Sequence, residues 1–337
     1  MRELILHHYD ISPYAEKIRA ILGFKRLAWR SVQIPIVMPK PDLTALTGGY
    51  RLTPVLQVGA DVYCDTKVIA RRLEEERPDP TLYPCGTAAL ERAMSVWGEA
   101  IFAPLITLGV ARRAFPEDFV EDRKKLVPIP GAFDAEKVRP VVPSRLDHVR
   151  ANLDLLERQL ADGRPFVLGD APSLADFSIY HPLWAVRRNL VSLPFLDGFG
   201  PVGAWLDRIA AFGHGTPTEM ASEDAVRVAR EATPATTSAE DPADPSGRRL
   251  GDALRIFPEA YGRDPVAGEL VFADAHEIAI RRRDPRAGEI VVHFPKEGSS
   301  SCRRGDRDDA SADASGLSLP PAASAGTRAR SSATARP

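Results

Sequence analysis

Residues 1 to 77 alternate short strand and helix patterns, which constrains the possible fold more than any other feature of the chain. Ser12-Pro13 follows an apolar strand and favours a helix start, because serine caps helices and proline is tolerated in their first turn. Two later strands flank Gly59-Ala60-Asp61, a sequence typical of a hairpin. The predicted elements are strand Leu4 to His8, helix Pro13 to Gly23, strand Ala28 to Val32, helix Asp42 to Leu46, strands Val55 to Val58 and Val62 to Cys64, and helix Thr66 to Glu76.

This βαβαββα order within residues 1–80 is that of the thioredoxin fold, and the hairpin makes its sheet mixed. After a connector, the spacing of apolar residues changes to about 3.6 residues, the period of an amphipathic helix. Residues 116–143 are rich in proline and charge and are predicted to form a long loop or an inserted short helix. The second region, 86–232, is therefore predicted to be all helical. Its predicted helices are 88–113, 144–160, 174–190, 202–212 and 222–232.

The rest of the chain is predicted to contain a linker, a small β module and a disordered tail. Repeated Pro, Ala, Thr, Ser and Asp over 233–247 are typical of a linker. Over 248–298 the apolar period drops to two, which predicts a small antiparallel sheet or barrel. Residues 299–337 have almost no apolar content and are predicted to be disordered. The fold class is therefore α+β.

The composition excludes several function classes. Lysine plus arginine number 44 and aspartate plus glutamate number 46, so no net field would attract nucleic acid or an anionic membrane. The amino terminus lacks a signal-peptide pattern, and the apolar stretch 100–111 is shorter than the ~18 residues of a membrane span. We therefore expect a cytoplasmic protein without a spanning helix. Its default partner is a small molecule or another subunit.

The cysteines and histidines do not predict a metal or a redox centre. Cys64, Cys85 and Cys302 share no CxxC spacing, and their odd number suits a reducing compartment without structural disulfides. The seven histidines show no metal-ligand spacing, and His7-His8 is more typical of ordinary packing. Arg281-Arg282-Arg283 could contact a polyanion, but a solvated strand end explains it as well. No cofactor metal is therefore expected.

Three local features together outline a site for a small peptide thiol. Ser12 places a hydroxyl, and the first free N–H groups of a helix, where a thiolate could sit. Pro54 enters an apolar strand, where its missing N–H would cost a ladder bond unless the position is special. Asp65-Thr66 opens the helix after the hairpin. Each feature has a plain structural explanation as well: two capped helices and a trans proline at an edge strand.

A fourth motif, Pro172 to Phe177, completes an ordered set. The other three pieces of the set are Ser12-Pro13-Tyr14 followed by Lys17-Ile18-Arg19, Thr53 to Leu56, and Asp65-Thr66. With these four pieces in order, the chain resembles the glutathione transferase superfamily over residues 3 to 212. The resemblance implies a thioredoxin-like domain that binds glutathione as co-substrate, a helical domain beside it, and a homodimer. It also implies that the motif at Pro172 supports the fold and says nothing of substrate.

The resemblance also implies roles for individual residues. Ser12 would hydrogen-bond the glutathione thiolate, and a cis bond before Pro54 would turn the backbone of Thr53 toward the cysteinyl part. Asp65 and Thr66 would hold the γ-glutamyl group. The family often has a basic residue just before the Thr-Pro pair, where this chain has Leu52. Arg51 is a possible substitute for binding the glycine carboxylate, and the shorter Asp65 stands where the family has Glu or Gln.

Thiolate stabilisation by a serine is energetically sufficient without a general base. Lowering a thiol pKa from near 8.5 by about two units requires roughly 2.7 kcal/mol. A charge-assisted hydrogen bond supplies about 1.5 to 3 kcal/mol and a helix N-terminus about 0.3 to 1 kcal/mol. Tyr9 competes for this role, since tyrosine-type transferases place a hydroxyl near the end of the same strand. Ser12 and Ala15 occupy the places of a redox dithiol, so dithiol exchange is not expected.

The sequence thus predicts an enzyme in which the glutathione thiolate attacks a small hydrophobic electrophile. An isomerase or dehalogenase would differ only in substrate. The rival from another class is a non-catalytic binding or dimerisation module of the same fold, and Asp65 and Leu52 at atypical positions favour it.

Overall fold

The computed structural model describes residues 2–303, except 85, 87, 128, 189, 190, 192, 194 and 260–263. Its first region has the predicted βαβαββα order. β1 pairs with β2 in parallel and with β3 antiparallel, and β3 pairs with β4 as the expected hairpin. The thioredoxin-like fold is therefore confirmed. The elements are β1 (Ile5–His8), α1 (Pro13–Phe24), β2 (Ala28–Gln33), α2 (Pro41–Thr47), β3 (Val55–Val58), β4 (Asp61–Cys64) and α3 (Thr66–Glu76).

The second region is helical, with one exception. The segment predicted as a loop or short helix contains two helices, α5 and α6. Residues 216–219, predicted to lie between helices, form a strand that pairs in parallel with β2. Its four residues are all exposed, so no apolar pattern indicated it. The elements are α4 (Ala88–Ala111), α5 (Glu117–Leu126), α6 (Ala135–Val138), α7 (Val142–Leu160), α8 (Leu174–Arg187), α9 (Gly200–Ala210), β5 (Thr216–Glu219) and α10 (Ser222–Glu231).

The helix α4 ends at Ala111, two residues before the predicted end, and its apolar window is longer than the predicted stretch 100–111. It is the one helix among the described residues that is long and apolar enough to cross a membrane by length and composition alone. Core helices of soluble proteins can pass the same test. Ile101, Leu105 and Leu108 of α4 are buried in the main hydrophobic core. Gly98 lets α4 approach α8 closely, because a Cβ there would lie 2.2 Å from the Ser178 carbonyl oxygen.

Asp176 organises the core of the helical region. Its carboxylate accepts hydrogen bonds from the Ser173 N–H (2.9 Å) and the Ser173 hydroxyl (3.0 Å). It also accepts from the Val167 N–H (2.8 Å) and the Trp205 indole (2.9 Å). Asp176 is fully buried, and burial raises its pKa despite these four donors. The motif at residues 172–177 thus joins α8 to α9 and to the preceding loop.

Asp176→Ala is expected to destabilise the protein by about 3 to 5 kcal/mol, because it leaves four buried donors without an acceptor. Urea unfolding followed by tryptophan fluorescence measures this change. Asp154→Ala is the matched control, since Asp154 lies on the exposed side of α7 and pairs with Arg158 alone among the described residues. Equal effects of the two substitutions would contradict this role of Asp176.

The carboxy-terminal module continues the first sheet. Its five strands pair antiparallel in the order β10-β6-β7-β8-β9, and β9 then pairs in parallel with β4. The result is one ten-stranded sheet, ordered β10-β6-β7-β8-β9-β4-β3-β1-β2-β5. The module is therefore an open sheet extension and not a barrel. The strands are β6 (Ala253–Pro258), β7 (Val266–Ala273), β8 (Glu277–Asp284), β9 (Gly288–Pro295) and β10 (Ser299–Arg303).

The sequence boundaries of the module need one correction. The prediction of disorder from residue 299 was wrong for Ser299–Arg303, which pairs with β6. Residues 304–337 lie outside the described part of the chain. The predicted linker 233–247 is also partly held by the sheet, because Ala239 bridges to Phe272 of β7.

A buried cluster of charges fixes the module to the first domain. His293 of β9 faces two carboxylates, with its Nδ1 2.7 Å from Glu277 Oε1 and its Nε2 3.5 Å from Asp61 Oδ1. The Thr236 hydroxyl donates to Asp61 at 2.5 Å, and Tyr63 of β4 stacks on the His293 ring. Burial alone would lower the pKa of His293, but hydrogen bonds to Asp61 and Glu277 outweigh it and raise the pKa.

Candidate functional site

The register of the sheet brings the predicted site residues to one end. Val55, the first residue of β3, lies opposite His7 of β1 and opposite Cys64 of β4. Since β3 is antiparallel to both neighbours, the chain before Val55 and the chains after His7 and Cys64 leave the sheet at the same end. Ser12, the Thr53-Pro54 pair and the Asp65-Thr66 pair stand on these three connections.

Ser12 lies at the N-terminus of α1 and is nearly inaccessible, with 3% of its surface exposed. Its Oγ accepts a hydrogen bond from the Ala15 N–H at 3.2 Å, so it caps the helix. Within the described part of the chain its hydroxyl donates no hydrogen bond. A hydroxyl that accepts from the helix N-terminus and keeps its own proton free is suited to donate to an anion.

Tyr9, the competing hydroxyl, lies in a different environment. Its ring packs against the apolar cluster on the α2 side of the sheet. The Lys40 ammonium lies 5.7 Å from the centre of that ring. Ser12 instead begins the helix that packs on the helical region. The geometry favours Ser12 over Tyr9 as the hydroxyl at the domain interface.

The bond between Thr53 and Pro54 is cis, as the resemblance implied. The Thr53 hydroxyl oxygen is buried and has no hydrogen-bond partner among the residues that the structure describes. A buried hydroxyl without a partner carries a cost of about 1 to 3 kcal/mol, which a ligand that bonds to it would remove. Thr53 therefore offers a polar contact to a ligand besides its backbone.

Asp65 has an unusual backbone. Its φ of 92° lies in a region that side chains rarely adopt, at a cost of about 1 to 3 kcal/mol. Its Oδ1 accepts the Lys67 N–H at 2.8 Å and caps α3. Thr66 is the first residue of α3, and its hydroxyl forms no hydrogen bond within the described ranges. Such strain clusters at functional sites, and here it directs a carboxylate and a hydroxyl to one helix start.

Arg51 is already engaged in this structure. Its Nη2 donates to both carboxylate oxygens of Asp122 on α5, at 2.6 and 2.8 Å. Lys40, which the sequence analysis missed, lies beside it and donates to the Arg51 carbonyl at 3.1 Å. Lys40 is buried, and burial with the nearby guanidinium groups of Arg123 and Arg51 lowers its pKa to about 7. Its only sequence signal is its place between Pro39 and Pro41.

The interface between α1 and the helical region holds further polar groups that the sequence analysis missed. Lys17 is 6% exposed, and its ammonium forms no hydrogen bond to another described residue. Burial lowers its pKa to about 8, while the carboxylates of Glu99 and Asp65 oppose the shift. Tyr14 donates to Glu99 at 2.6 Å and packs against Phe102. These residues line the side of α1 that faces the helical region.

Other sequence candidates have structural roles. His7 and His8 bond through Nε2 to Gln57 and Ser31, both at 2.9 Å, and burial lowers the pKa of each to about 4. Arg282 donates to the Ala45 carbonyl at 2.6 Å and ties the module to α2. In the described ranges no group of three His, Cys, Asp or Glu residues could hold a metal ion.

Comparison with known proteins decides the family. Residues 6–81 match the model of the glutathione S-transferase N-terminal domain, and residues 131–208 match that of the C-terminal domain. The crystal structure of a GST-like protein from Pseudomonas syringae is 42% identical, covers 90% of this chain and 100% of its own, and gives a TM-score of 0.71. The chain belongs to the glutathione transferase superfamily.

Two further relatives are more distant from this glutathione transferase family member. It is 32% identical to FtsZ-localized protein A of Caulobacter vibrioides over 95 residues. These residues make up 27% of this chain and 40% of the relative. The chain thus matches only two-fifths of the length of that curated relative. A glutathione S-transferase from Methylobacillus flagellatus, solved with glutathione bound, is 20% identical over 64% of this chain and 100% of its own, with a TM-score of 0.48.

Proposed function

We propose that this chain is a glutathione transferase-like enzyme that binds glutathione at the end of the sheet where β1 and β4 finish. Ser12 stabilises the thiolate for attack on a small hydrophobic electrophile. The observation that carries this proposal is the buried Ser12 hydroxyl, which accepts the Ala15 N–H and keeps its own proton free among the described residues. The electrophile and its reaction, whether conjugation or thiol-assisted isomerisation, are left open.

The chemistry follows from charge stabilisation at one atom. Glutathione loses its thiol proton to water. The Ser12 hydroxyl then donates a hydrogen bond to the thiolate sulfur and keeps its own proton. The helix N-terminus adds its positive end at the same place. Thr53 would pair its backbone with the cysteinyl residue, and Pro54 begins the strand that holds this segment. The Tyr14 and Phe102 rings offer an apolar surface to the electrophile beside α1.

The two carboxylates of glutathione require cationic or N–H partners. Thr66 and the start of α3 would receive the γ-glutamyl carboxylate, and the Asp65 carboxylate would accept the γ-glutamyl ammonium. For the glycine carboxylate we propose Arg51 together with Lys40. Arg51 would share its guanidinium between Asp122 and the ligand, because a guanidinium has five N–H donors.

Asp65→Asn is expected to weaken glutathione binding about 10-fold, because it removes the charge of the carboxylate that faces the ligand ammonium. Asparagine caps helices as well as aspartate, so the helix should persist. Isothermal titration calorimetry measures the affinity. Asp134→Asn is the control, since Asp134 also caps a helix but lies outside the proposed site. An unchanged affinity would contradict the proposed role of Asp65.

Retention on immobilised glutathione followed by a conjugation assay tests the proposal as a whole. Retention with turnover by the native protein, and loss of turnover with retention kept in Ser12→Ala, are the expected results. Retention without any turnover would favour the rival, a non-catalytic binding module. Engagement of Arg51 by Asp122 is the structural observation that favours this rival.

The homodimer and the cytoplasmic location implied by the sequence stay predictions. Both edges of the thioredoxin-like sheet are covered, since β9 lies on β4 and β5 lies on β2. We therefore expect two copies to associate through surfaces other than these edges. Sedimentation equilibrium should give twice the chain mass of 36.8 kDa. A mass equal to one chain at micromolar concentration would contradict this expectation.

A further inference from the structure

The parallel pairing of β9 with β4 carries the next turn of the module to the proposed glutathione site. Tyr63 of β4 lies opposite His293 of β9, and the two strands run in the same direction. The turn after β9, residues 296–298, therefore leaves the sheet at the same end as Asp65. The module and the γ-glutamyl side of the site are thus neighbours, although more than 200 residues separate them in sequence.

Glu297, in this turn, contacts both α3 and α4. Its backbone carbonyl accepts the Lys67 ammonium of α3 at 2.8 Å. Its Oε2 accepts the Arg92 Nε of α4 at 2.9 Å, and Arg92 Nη2 also contacts this oxygen. Its Oε1 is 3.8 Å from the Lys67 ammonium, beyond hydrogen-bond distance. The carboxylate is thus hydrogen-bonded at Oε2, while Oε1 pairs with Lys67 at ion-pair distance without a direct hydrogen bond.

We propose that Glu297 supplies a second acceptor for the ammonium of the γ-glutamyl group and so makes the carboxy-terminal module part of the glutathione site. This inference rests on the proposed function. An ammonium has three N–H donors. One carboxylate oxygen of Asp65 already accepts the N–H that caps α3. The Glu297 side chain is 65% exposed, so a ligand can reach it.

The ligand class follows from the charges around the site. Asp65 and Glu297 provide negative charge for an ammonium, and Lys67, which pairs with Glu297, adds positive charge at the start of α3, where the ligand carboxylate would bind. Opposite charges set side by side match the α-amino acid end of a γ-glutamyl compound and would reject a plain dicarboxylate. Glu297 therefore determines specificity for the amino group and takes no part in thiolate formation.

Two ligands and two variants test this proposal. The ligands are glutathione and glutaryl-cysteinylglycine, which lacks only the amino group. Glu297→Gln is expected to weaken glutathione binding about 10-fold or more while the affinity for glutaryl-cysteinylglycine stays unchanged. Glu289→Gln is the control, because Glu289 is exposed at the opposite end of β9. Calorimetry on the full chain measures all affinities.

The outcomes separate this proposal from the proposed function. Equal loss of affinity for both ligands in Glu297→Gln would overturn the ammonium contact and leave glutathione binding intact as a function. Unchanged affinity for both ligands would overturn it as well. Failure of the native chain to bind glutathione at millimolar concentration would overturn the proposed function itself, together with this inference.

Discussion

Ser12→Ala is expected to lower kcat/KM for glutathione conjugation by about 10- to 150-fold, because a charge-assisted hydrogen bond to the thiolate is worth roughly 1.5 to 3 kcal/mol. Glutathione binding should change much less, since most of the proposed ligand contacts lie on Thr53, Asp65 and the start of α3. The loss should therefore fall mainly on kcat. Steady-state kinetics at saturating electrophile measure this split.

Variants at the same position separate catalysis from capping. Ser12 caps α1, and its loss to alanine costs about 1 kcal/mol of stability, whereas glycine costs only a few tenths. Ser12→Gly should thus lose activity like Ser12→Ala while unfolding nearly like the native protein. Ser12→Thr keeps the hydroxyl and should retain most of the activity. Full activity in Ser12→Gly would show that the hydroxyl acts only as a cap.

His293→Gln is expected to give the largest loss of stability in the carboxy-terminal module, about 3 kcal/mol or more. The buried His293 ring lies between the carboxylates of Asp61 and Glu277, and removing one partner of a buried charge cluster leaves the others uncompensated. Urea unfolding measures the loss. His276→Gln is the control, because His276 is exposed on the same module. Equal stability of the two variants would contradict this role of the buried charge cluster.

The same cluster predicts a pH dependence with a definite sign. The carboxylates of Asp61 and Glu277 raise the pKa of His293 against the effect of burial. The imidazolium therefore stabilises the fold fully below its ordinary pKa of about 6.5, and this contribution is lost as the pH rises through the raised value. Arg71, Arg72 and Glu75 of α3 and Arg2 line the cavity beside His293.

Unfolding midpoints of the native protein and His293→Gln should therefore converge as the pH rises from neutral into the alkaline range. Below neutral pH the difference should be largest. In acid the protonation of Asp61 becomes important. Burial would raise the pKa of Asp61, but hydrogen bonds from His293 and Thr236 outweigh it and lower the pKa. The stability that Asp61 contributes is therefore lost only as the pH falls through that lowered value. A constant difference between pH 6 and an alkaline pH would contradict the raised pKa of His293.

Local signals in the sequence were enough for much of the fold. The helix α3 has the predicted bounds, Thr66 to Glu76, because Asp65 caps its start and Pro78 follows its end. The hairpin at Gly59 and the order of elements also follow from turn residues and apolar period. Each of these features depends on interactions within about ten residues, which a single sequence displays.

The features that the sequence did not predict depend on contacts between distant parts of the chain. β5 is exposed along its length and exists because β2 offers an unpaired edge. Ser299–Arg303 is polar and is ordered by pairing with β6, which its composition alone does not indicate. Glu297 lies beside Lys67 of α3 only because β9 pairs with β4 in parallel. Lys40 is identified as a candidate site residue by its burial beside Arg51. No local sequence pattern predicts that burial.

The pKa of the bound glutathione thiol tests the central proposal most directly. Ultraviolet absorbance of the thiolate, titrated with native protein and with Ser12→Ala at saturating glutathione, gives this value for each. We expect a thiol pKa about two units below the ordinary value of about 8.5 in the native complex, and a return of at least one unit toward it in the variant. A bound thiol that titrates near 8.5 in both complexes would contradict thiolate stabilisation by Ser12.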